Sequence, residues 1–346
     1  GQNAAQLSLA DAVALQYFGI AATSSPGGAY NSLTAAQRNQ VAAAKAIRQR
    51  TLGTLYDQTE AEPWEGNIYT GQASVRNQFN DNVTGYATMQ YGEKPGIAQF
   101  SGLLPDNSGP RNLLADKEKT LTFELGVRTN WFGSDLVLNA NVFRADIRDF
   151  QQSVFFYDEL LTELNNDGTL YYSSGVGNVA KVRTQGVEVD FVYSGIEYTT
   201  FRFSGAYTDA KYIDHQFSGQ PSENANLALR FRDVSGFTLN NAPKVQFNAS
   251  VDYRRPIFEN MQFHTSLNYT YTGRENGDAA LSSYGWRDPY GIADFAIGVG
   301  RQDGLFDLNV IVRNLFDEDR GDEGWSSYTI YQRPRWIGVV LSSDFL

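Results

Sequence analysis

From about Trp64 to the end of the chain, apolar and polar residues alternate, and that period of two decides what the chain can become. Val187, Val189, Phe191 and Tyr193 fall on one side of such a run, Glu188 and Asp190 on the other. Phe247, Ala249, Val251 and Tyr253 oppose Gln246, Asn248, Ser250 and Asp252. Phe263, Thr265, Leu267, Tyr269 and Tyr271 oppose Gln262, His264, Ser266, Asn268 and Thr270. A strand sends successive side chains to opposite faces, so each run reads as a strand with one apolar face. Alternation and turn residues together predict eleven strands, over 68–79, 83–91, 120–132, 136–149, 182–193, 199–212, 244–253, 261–272, 290–300, 306–315 and 334–345.

Alternation alone fits either a sandwich with a dry core or a barrel in lipid. Connection lengths separate the two. Short turns fall at 80–82, 133–135, 195–198, 256–260 and 302–304, and long connections at 92–119, 151–181, 213–243, 273–289 and 316–333. Short and long strictly alternate, which puts every long loop at one end, as in outer-membrane barrels. Composition agrees. The chain holds 20 Tyr and 22 Phe, yet its mean hydropathy is -0.39. No apolar run reaches the roughly 18–20 residues of a membrane helix, which leaves the closed barrel as the way to span lipid.

Strand parity adds a constraint. If the last strand runs toward the periplasm, the first does too, and residues 1–63 lie outside as a loop segment with short helices. The predicted helices are 8–18, with Ser8 as cap, Asp11 in the first turn and Gly19 as terminator, and 34–52, with Thr34 and Gln37 as a capping box and Gly53 after the last turn. Residues 64–346 then form a transmembrane antiparallel all-β wall. An odd number of strands does not close with both ends in the periplasm, and eleven is half of the 22 found in plugged outer-membrane transporters. No signal peptide opens the sequence, as expected of a mature chain or a piece of one. The absence of Cys excludes disulfides and thiolate metal sites, and a net charge of -11 argues against a nucleic-acid partner.

Several segments carry a family pattern in order. Thr84-Gly85-Tyr86-Ala87-Thr88 leads into Gly92-Glu93-Lys94-Pro95-Gly96, and Phe123-Glu124-Leu125-Gly126-Val127 is followed by Leu136-Val137-Leu138-Asn139-Ala140 and Asp149-Phe150-Gln151. Gln185-Gly186-Val187-Glu188, Asn241-Ala242-Pro243, Asn314-Leu315-Phe316-Asp317 and Pro334-Arg335-Trp336-Ile337-Gly338 complete the series. The series resembles the C-terminal half of the barrel of TonB-dependent outer-membrane receptors. Glu93 stands where that family has an aromatic, and Leu346 follows the aromatic Phe345 that would ordinarily be last.

The resemblance implies active import of a scarce solute (a siderophore, cofactor, glycan or similar) across the outer membrane of a Gram-negative bacterium, with long loops extracellular and the C-terminus periplasmic. It implies as partners an N-terminal plug with the first half of the barrel, cleaved from the same protein or on a separate chain. TonB acting through that plug, the lipid bilayer, and a surface lipoprotein or other outer-membrane subunit complete the expected partners.

Lumen-lining candidates follow from strand parity: Asn139, Asn141, Glu188, Asp190, Arg202, Gln246, Asn248, Asp252, His264, Asn268 and Arg313. Wall hydration or contact with a plug explains most of them without a solute. Tyr171, Tyr172, Trp286, Trp325 and Tyr328 lie in outer loops and are candidates to stack on a ligand, with loop-on-loop packing as the simpler role. Phe79, Trp131, Phe132, Tyr193, Tyr253 and Phe258 at one end, and Tyr91, Tyr207, Tyr212, Tyr269 and Tyr271 at the other, are placed for interfacial girdles. The acidic run Asp317, Glu318, Asp319, Asp322 and Glu323 has the oxygen donors of a Ca²⁺ site, although a solvated loop accounts for it; no other cofactor is expected. His215 and His264 have no ligand spacing, and no nucleophile, base and orienter are brought together, so an enzyme is not expected. Competing readings are a passive porin and a soluble secreted all-β carbohydrate-binding domain.

Overall fold

The computed structural model describes residues 4–21, 23–52, 63–103, 110–158, 162, 170–224, 229–319, 321–324, 328–331 and 333–343. The chain divides into two compact units, one of Gly1–Glu60 with Phe100–Arg111 and one of Ala61–Gln99 with Asn112–Leu346.

The first unit carries α1 (Ala4–Phe18), α2 (Gly28–Asn31) and α3 (Ala35–Leu52). Ala14, Ala29 and Leu33 form its buried centre, with Phe18, Ile20, Tyr30 and Val41 packed around them. The capping box stands as expected: the Thr34 amide donates to Gln37 Oε1 at 2.9 Å, and the Gln37 amide to Thr34 Oγ1 at 3.3 Å. The start of α1 differs from expectation, because the helix begins at Ala4 and encloses Ser8. Asp11, buried in mid-helix, instead accepts the amides of Gly27 at 2.6 Å and Tyr30 at 3.0 Å, fixing the entry to α2. A buried carboxylate needs such donors, and amides at a helix start supply them. Gly53 lies outside the described residues.

The second unit is built on one eleven-stranded antiparallel sheet in which each strand pairs with its sequence neighbours. Its strands are β1 (Gly71–Asn80), β2 (Val83–Lys94), β3 (Glu118–Trp131), β4 (Leu136–Tyr157), β5 (Tyr172–Ile196) and β6 (Thr199–Asp214). They continue as β7 (Val245–Phe258), β8 (Met261–Thr272), β9 (Tyr290–Arg301), β10 (Asp307–Arg313) and β11 (Trp336–Ser342). Short turns and long connections alternate as expected. One connection is shorter than predicted: 151–181 is mostly strand, because β4 runs on to Tyr157 and β5 starts at Tyr172. Gln151, Gln152, Ser153, Ser173 and Ser174 hid this extension, which alternates poorly. β7 continues past Pro256 to Phe258, where the ladder shifts register. Proline is tolerated at such an irregularity.

Register makes one face apolar across the whole sheet. Val75 pairs with Ala87, Ala87 with Leu125, Leu125 with Val142, and Val142 with Val187. Farther along, Phe191, Phe203, Phe247 and Tyr271 form a stacked row with successive centroids 5.5, 5.8 and 5.1 Å apart. No second protein layer covers this face among the described residues: Val75 is 72% exposed, Leu125 59% and Val339 69%. A soluble sandwich buries such a face against a second sheet. On β8 the face runs from Phe263 to Tyr271, about the 9–11 residues a tilted strand uses to cross lipid. Toward the long-loop end the same parity turns ionic. Asp146 accepts Arg144 Nε at 2.9 Å and Arg183 Nε at 2.8 Å, and Lys211 Nζ stands 2.8 Å from Asp209.

Val187→Arg, in the middle of the apolar face, is expected to cost about 2–4 kcal/mol of membrane-folded stability, while Asp190→Arg on the other face costs less. Urea titration of protein folded in lipid vesicles measures both. Equal costs would mean that the apolar face does not meet lipid.

Candidate functional site

The face opposite the apolar one is polar over most of the sheet. All eleven wall candidates, Asn139, Asn141, Glu188, Asp190, Arg202, Gln246, Asn248, Asp252, His264, Asn268 and Arg313, share this face by register. Most are tied across strands. Asn139 Nδ2 donates to Asp190 at 2.8 Å and Asn141 Nδ2 to Glu188 at 3.0 Å. Arg202 pairs with Asp252. Asn248 Nδ2 donates to Asn268 Oδ1 and Thr270 Oγ1, both at 2.9 Å. His264 Nε2 lies 2.9 Å from Asp307, and Arg313 Nη1 donates to Asp294 at 2.6 Å. Tyr86 lies over Gly126, which has no Cβ to block it, and its hydroxyl reaches Glu124 at 2.5 Å. These pairs leave a wall of oriented carboxylates, amides and guanidiniums, suited to polar contact with whatever fills the space before it. A shallow groove on the other face is lined chiefly by apolar side chains, among them Val75, Ala87, Leu125, Val142 and Val187.

At the long-loop end, connections pack into a structured rim. Val179, Val182, Ala210, Tyr212, Val234 and Leu239 form a buried cluster that joins β5 and β6 to the 215–244 connection. Tyr212 is fully buried within it, so it is not the girdle residue that its position suggested. Its hydroxyl donates to Gln152 Oε1 at 2.9 Å, and burial raises its pKa. His215, against the Tyr212 ring at 5.1 Å, has its pKa lowered by burial. The 215–244 and 273–289 connections interlock: Glu223 accepts the Ser283 amide at 2.7 Å and the Ser282 hydroxyl at 2.9 Å, and Arg232 donates to the Leu281 carbonyl at 3.0 Å. Sequence reasoning passed over Glu223 and Arg232, since neither has a partner close in sequence.

Among the described side chains, the loop aromatics Tyr172 and Trp286 have separate partners. Tyr172 donates to the Arg230 carbonyl at 2.9 Å and meets Tyr157 edge-on, a packing role. The Tyr171 amide donates to Thr162 Oγ1 at 3.0 Å. Trp286 carries the Arg274 guanidinium over its ring at 4.7 Å. Tyr328 starts a two-stranded ribbon opposite Gly324, and Trp325 lies outside the described residues. In the acidic run, Asp317 Oδ1 accepts the Arg335 amide at 2.7 Å and the Glu318 amide donates to Asn314 Oδ1 at 2.8 Å. Among the described residues no three His, Cys, Asp or Glu side chains gather as a metal site.

Glu93 has a role that the sequence did not disclose. Beyond the apolar band, at the end of β2, it accepts Lys117 Nζ at 2.8 Å, the Tyr91 hydroxyl at 2.6 Å and the Tyr69 amide at 2.9 Å. Lys117 also donates to the Asn67 carbonyl at 3.1 Å. This clasp holds the segment leading into β1. The hydrogen bond from Lys117, then that from Tyr91, lowers the Glu93 pKa to about 2.

A family model described as TonB-dependent receptor-like β-barrel matches residues 15–315. Solved structures agree in fold. The ferric yersiniabactin uptake receptor FyuA of Yersinia pestis superposes with a TM-score of 0.59 at 18% identity, covering 80% of this chain and 37% of that one. For the siderophore receptor PiuA of Acinetobacter baumannii the values are 0.55, 17%, 78% and 35%. For the ferric preacinetobactin receptor BauA of the same species they are 0.54, 16%, 80% and 36%. The chain thus spans little more than a third of the length of these receptors.

The Glu93 clasp has a pH signature. Its folded pKa lies below its ordinary 4.5, so its contribution is full above about 4.5 and is lost as pH falls toward 2. Glu93→Gln is therefore expected to lower the urea midpoint at pH 7, with the deficit vanishing near pH 2. A deficit independent of pH would mean that the lost interaction is not ionic.

Proposed function

The chain belongs to the TonB-dependent receptor β-barrel family, and from that membership we propose that it forms half the wall of an outer-membrane active transporter. The observation that carries the reading is the sheet itself: eleven antiparallel strands, short and long connections in strict alternation, and an apolar face that is exposed among the described residues. In this reading the apolar face meets lipid and the long loops stand outside the cell. The polar face, with Asn139, Asn141, Glu188, Asp190, Arg202, Gln246, Asn248, Asp252, His264, Asn268 and Arg313, lines the lumen. β1 and β11 run the same way, so antiparallel closure calls for further strands, an odd number of them, between their free edges. A plug joined to those strands fills the lumen and couples to TonB.

The cargo is a scarce solute that enters past the outer rim. One similar receptor is named for a siderophore and two for ferric compounds, which makes a ferric siderophore the first solute to try; cobalamin and glycans follow. A surface lipoprotein or other outer-membrane subunit fits the same loop surface.

Uptake by cells carrying the whole protein is the test, measured for each solute before and after the proton-motive force is collapsed. Energised transport stops on collapse. Uptake that continues unchanged is passive diffusion and ends this reading.

A further inference from the structure

The apolar parity of the sheet ends in positive charge. Lys119 on β3, Arg148 on β4 and Lys181 on β5 are consecutive partners in one row of the ladder, on the parity of Leu125, Val142 and Val187. Like charges directly opposite one another repel. Lys119 lies 3.3 Å from Asp149, and Glu93, its partner on β2, is taken by Lys117. Arg148, which is exposed, and Lys181 make no ion pair among the described residues, although Asp214 stands opposite Lys181 in the ladder. Nearer the apolar band, Arg144 at 2.9 Å and Arg183 at 2.8 Å share the single carboxylate of Asp146, while Lys211 is matched by Asp209 at 2.8 Å. Even with Asp214 set against Lys181, Arg148 and one of the two arginines on Asp146 are left over, in a chain whose net charge is -11.

Below this belt, on the same parity, lies the shallow groove lined by Val75, Ala87, Leu125, Val142 and Val187, about 550 Å³ in volume. Phe79 closes its lower end by lying over Gly85, where a side chain would displace the ring. From Val142 to Arg148 the strand β4 rises about 20 Å. At a tilt of about 45° that is about 14 Å of depth, close to half of a hydrocarbon core about 30 Å thick. The groove therefore stands at mid-bilayer when the belt stands at the level of the head groups on the long-loop side. Guanidiniums are planar donors that match phosphate oxygens, and an anion lying between opposed cations removes their repulsion.

We propose that belt and groove together hold one lipid whose head group bears phosphate. The phosphate engages Arg144, Arg148 and Lys181, and an acyl chain runs down the strands into the groove. The depth assignment rests on the membrane reading above; the head-group chemistry does not.

The test uses the full chain folded in detergent and native mass spectrometry, which counts bound lipids. The probe is dioleoyl phosphatidic acid, a phosphate monoester on two long chains. It is expected to stay bound at concentrations where dioleoyl phosphatidylcholine, with the same chains and a zwitterionic head, does not, and to bind more tightly than dihexanoyl phosphatidic acid. Joint Arg148→Gln and Lys181→Gln substitution weakens its binding about tenfold or more. Arg148→Lys keeps the charge and retains part of the affinity, which separates a binding role from a folding one. Ala87→Phe, which fills the groove, weakens the long-chain lipid and leaves the short-chain one unchanged. Arg255→Gln, at the other end of the apolar parity on β7, changes neither. Equal retention of phosphatidylcholine, insensitivity to the double substitution, or equal affinity for the short-chain lipid overturns the proposal. Selective lipid binding with passive uptake keeps the lipid site and removes the transporter reading; energised uptake without lipid selectivity does the reverse.

Discussion

Backbone hydrogen bonding in lipid constrains everything else in this chain. A bilayer offers no water to an unpaired amide or carbonyl, so each strand must be paired along its length by its neighbours. The eleven-stranded ladder meets that demand internally at every strand but the two at its edges. Pairing in turn fixes register, and register fixes which side chains share a face. Because the period is two, a slip of one residue would carry Glu188 and Asp190 onto the apolar side and Val187 and Val189 off it. The aromatic row Phe191, Phe203, Phe247 and Tyr271 and the carboxylate–amide pairs opposite it therefore secure the same register from both sides.

Much of this was legible in the sequence, for a physical reason. A strand between lipid and a polar space has two unlike environments, and alternation records both. The eleven strands, their order and the common face of the eleven wall candidates follow from that record. Where both environments become aqueous or protein-filled, the record fades. The outward extension of β4 and β5 was therefore read as loop, and Tyr212 was assigned to a membrane interface when it packs under the 215–244 connection. Long-range pairs were also illegible. Nothing near Glu223 in the sequence points to Ser282, and nothing near Glu93 points to Lys117.

Charge is distributed with the same economy. Acidic side chains of the polar wall on β3, β4 and β5 take hydrogen bonds from neutral donors, as Glu124 does from Tyr86 and Glu188 from Asn141. At the far side of the sheet the pairs are ionic instead, Arg313 with Asp294 and Arg335 with Asp317.

The Asn314 and Asp317 clasp also bears on how such a wall diversifies. Its described contacts join the end of β10 to the start of β11 at the base of the connection. Residues enclosed by the base can be lengthened, shortened or exchanged at a closure cost that grows only slowly with length, while the strand ends stay where they are. A rigid base under an exchangeable loop is the arrangement by which an antibody framework carries new loops on a fixed scaffold.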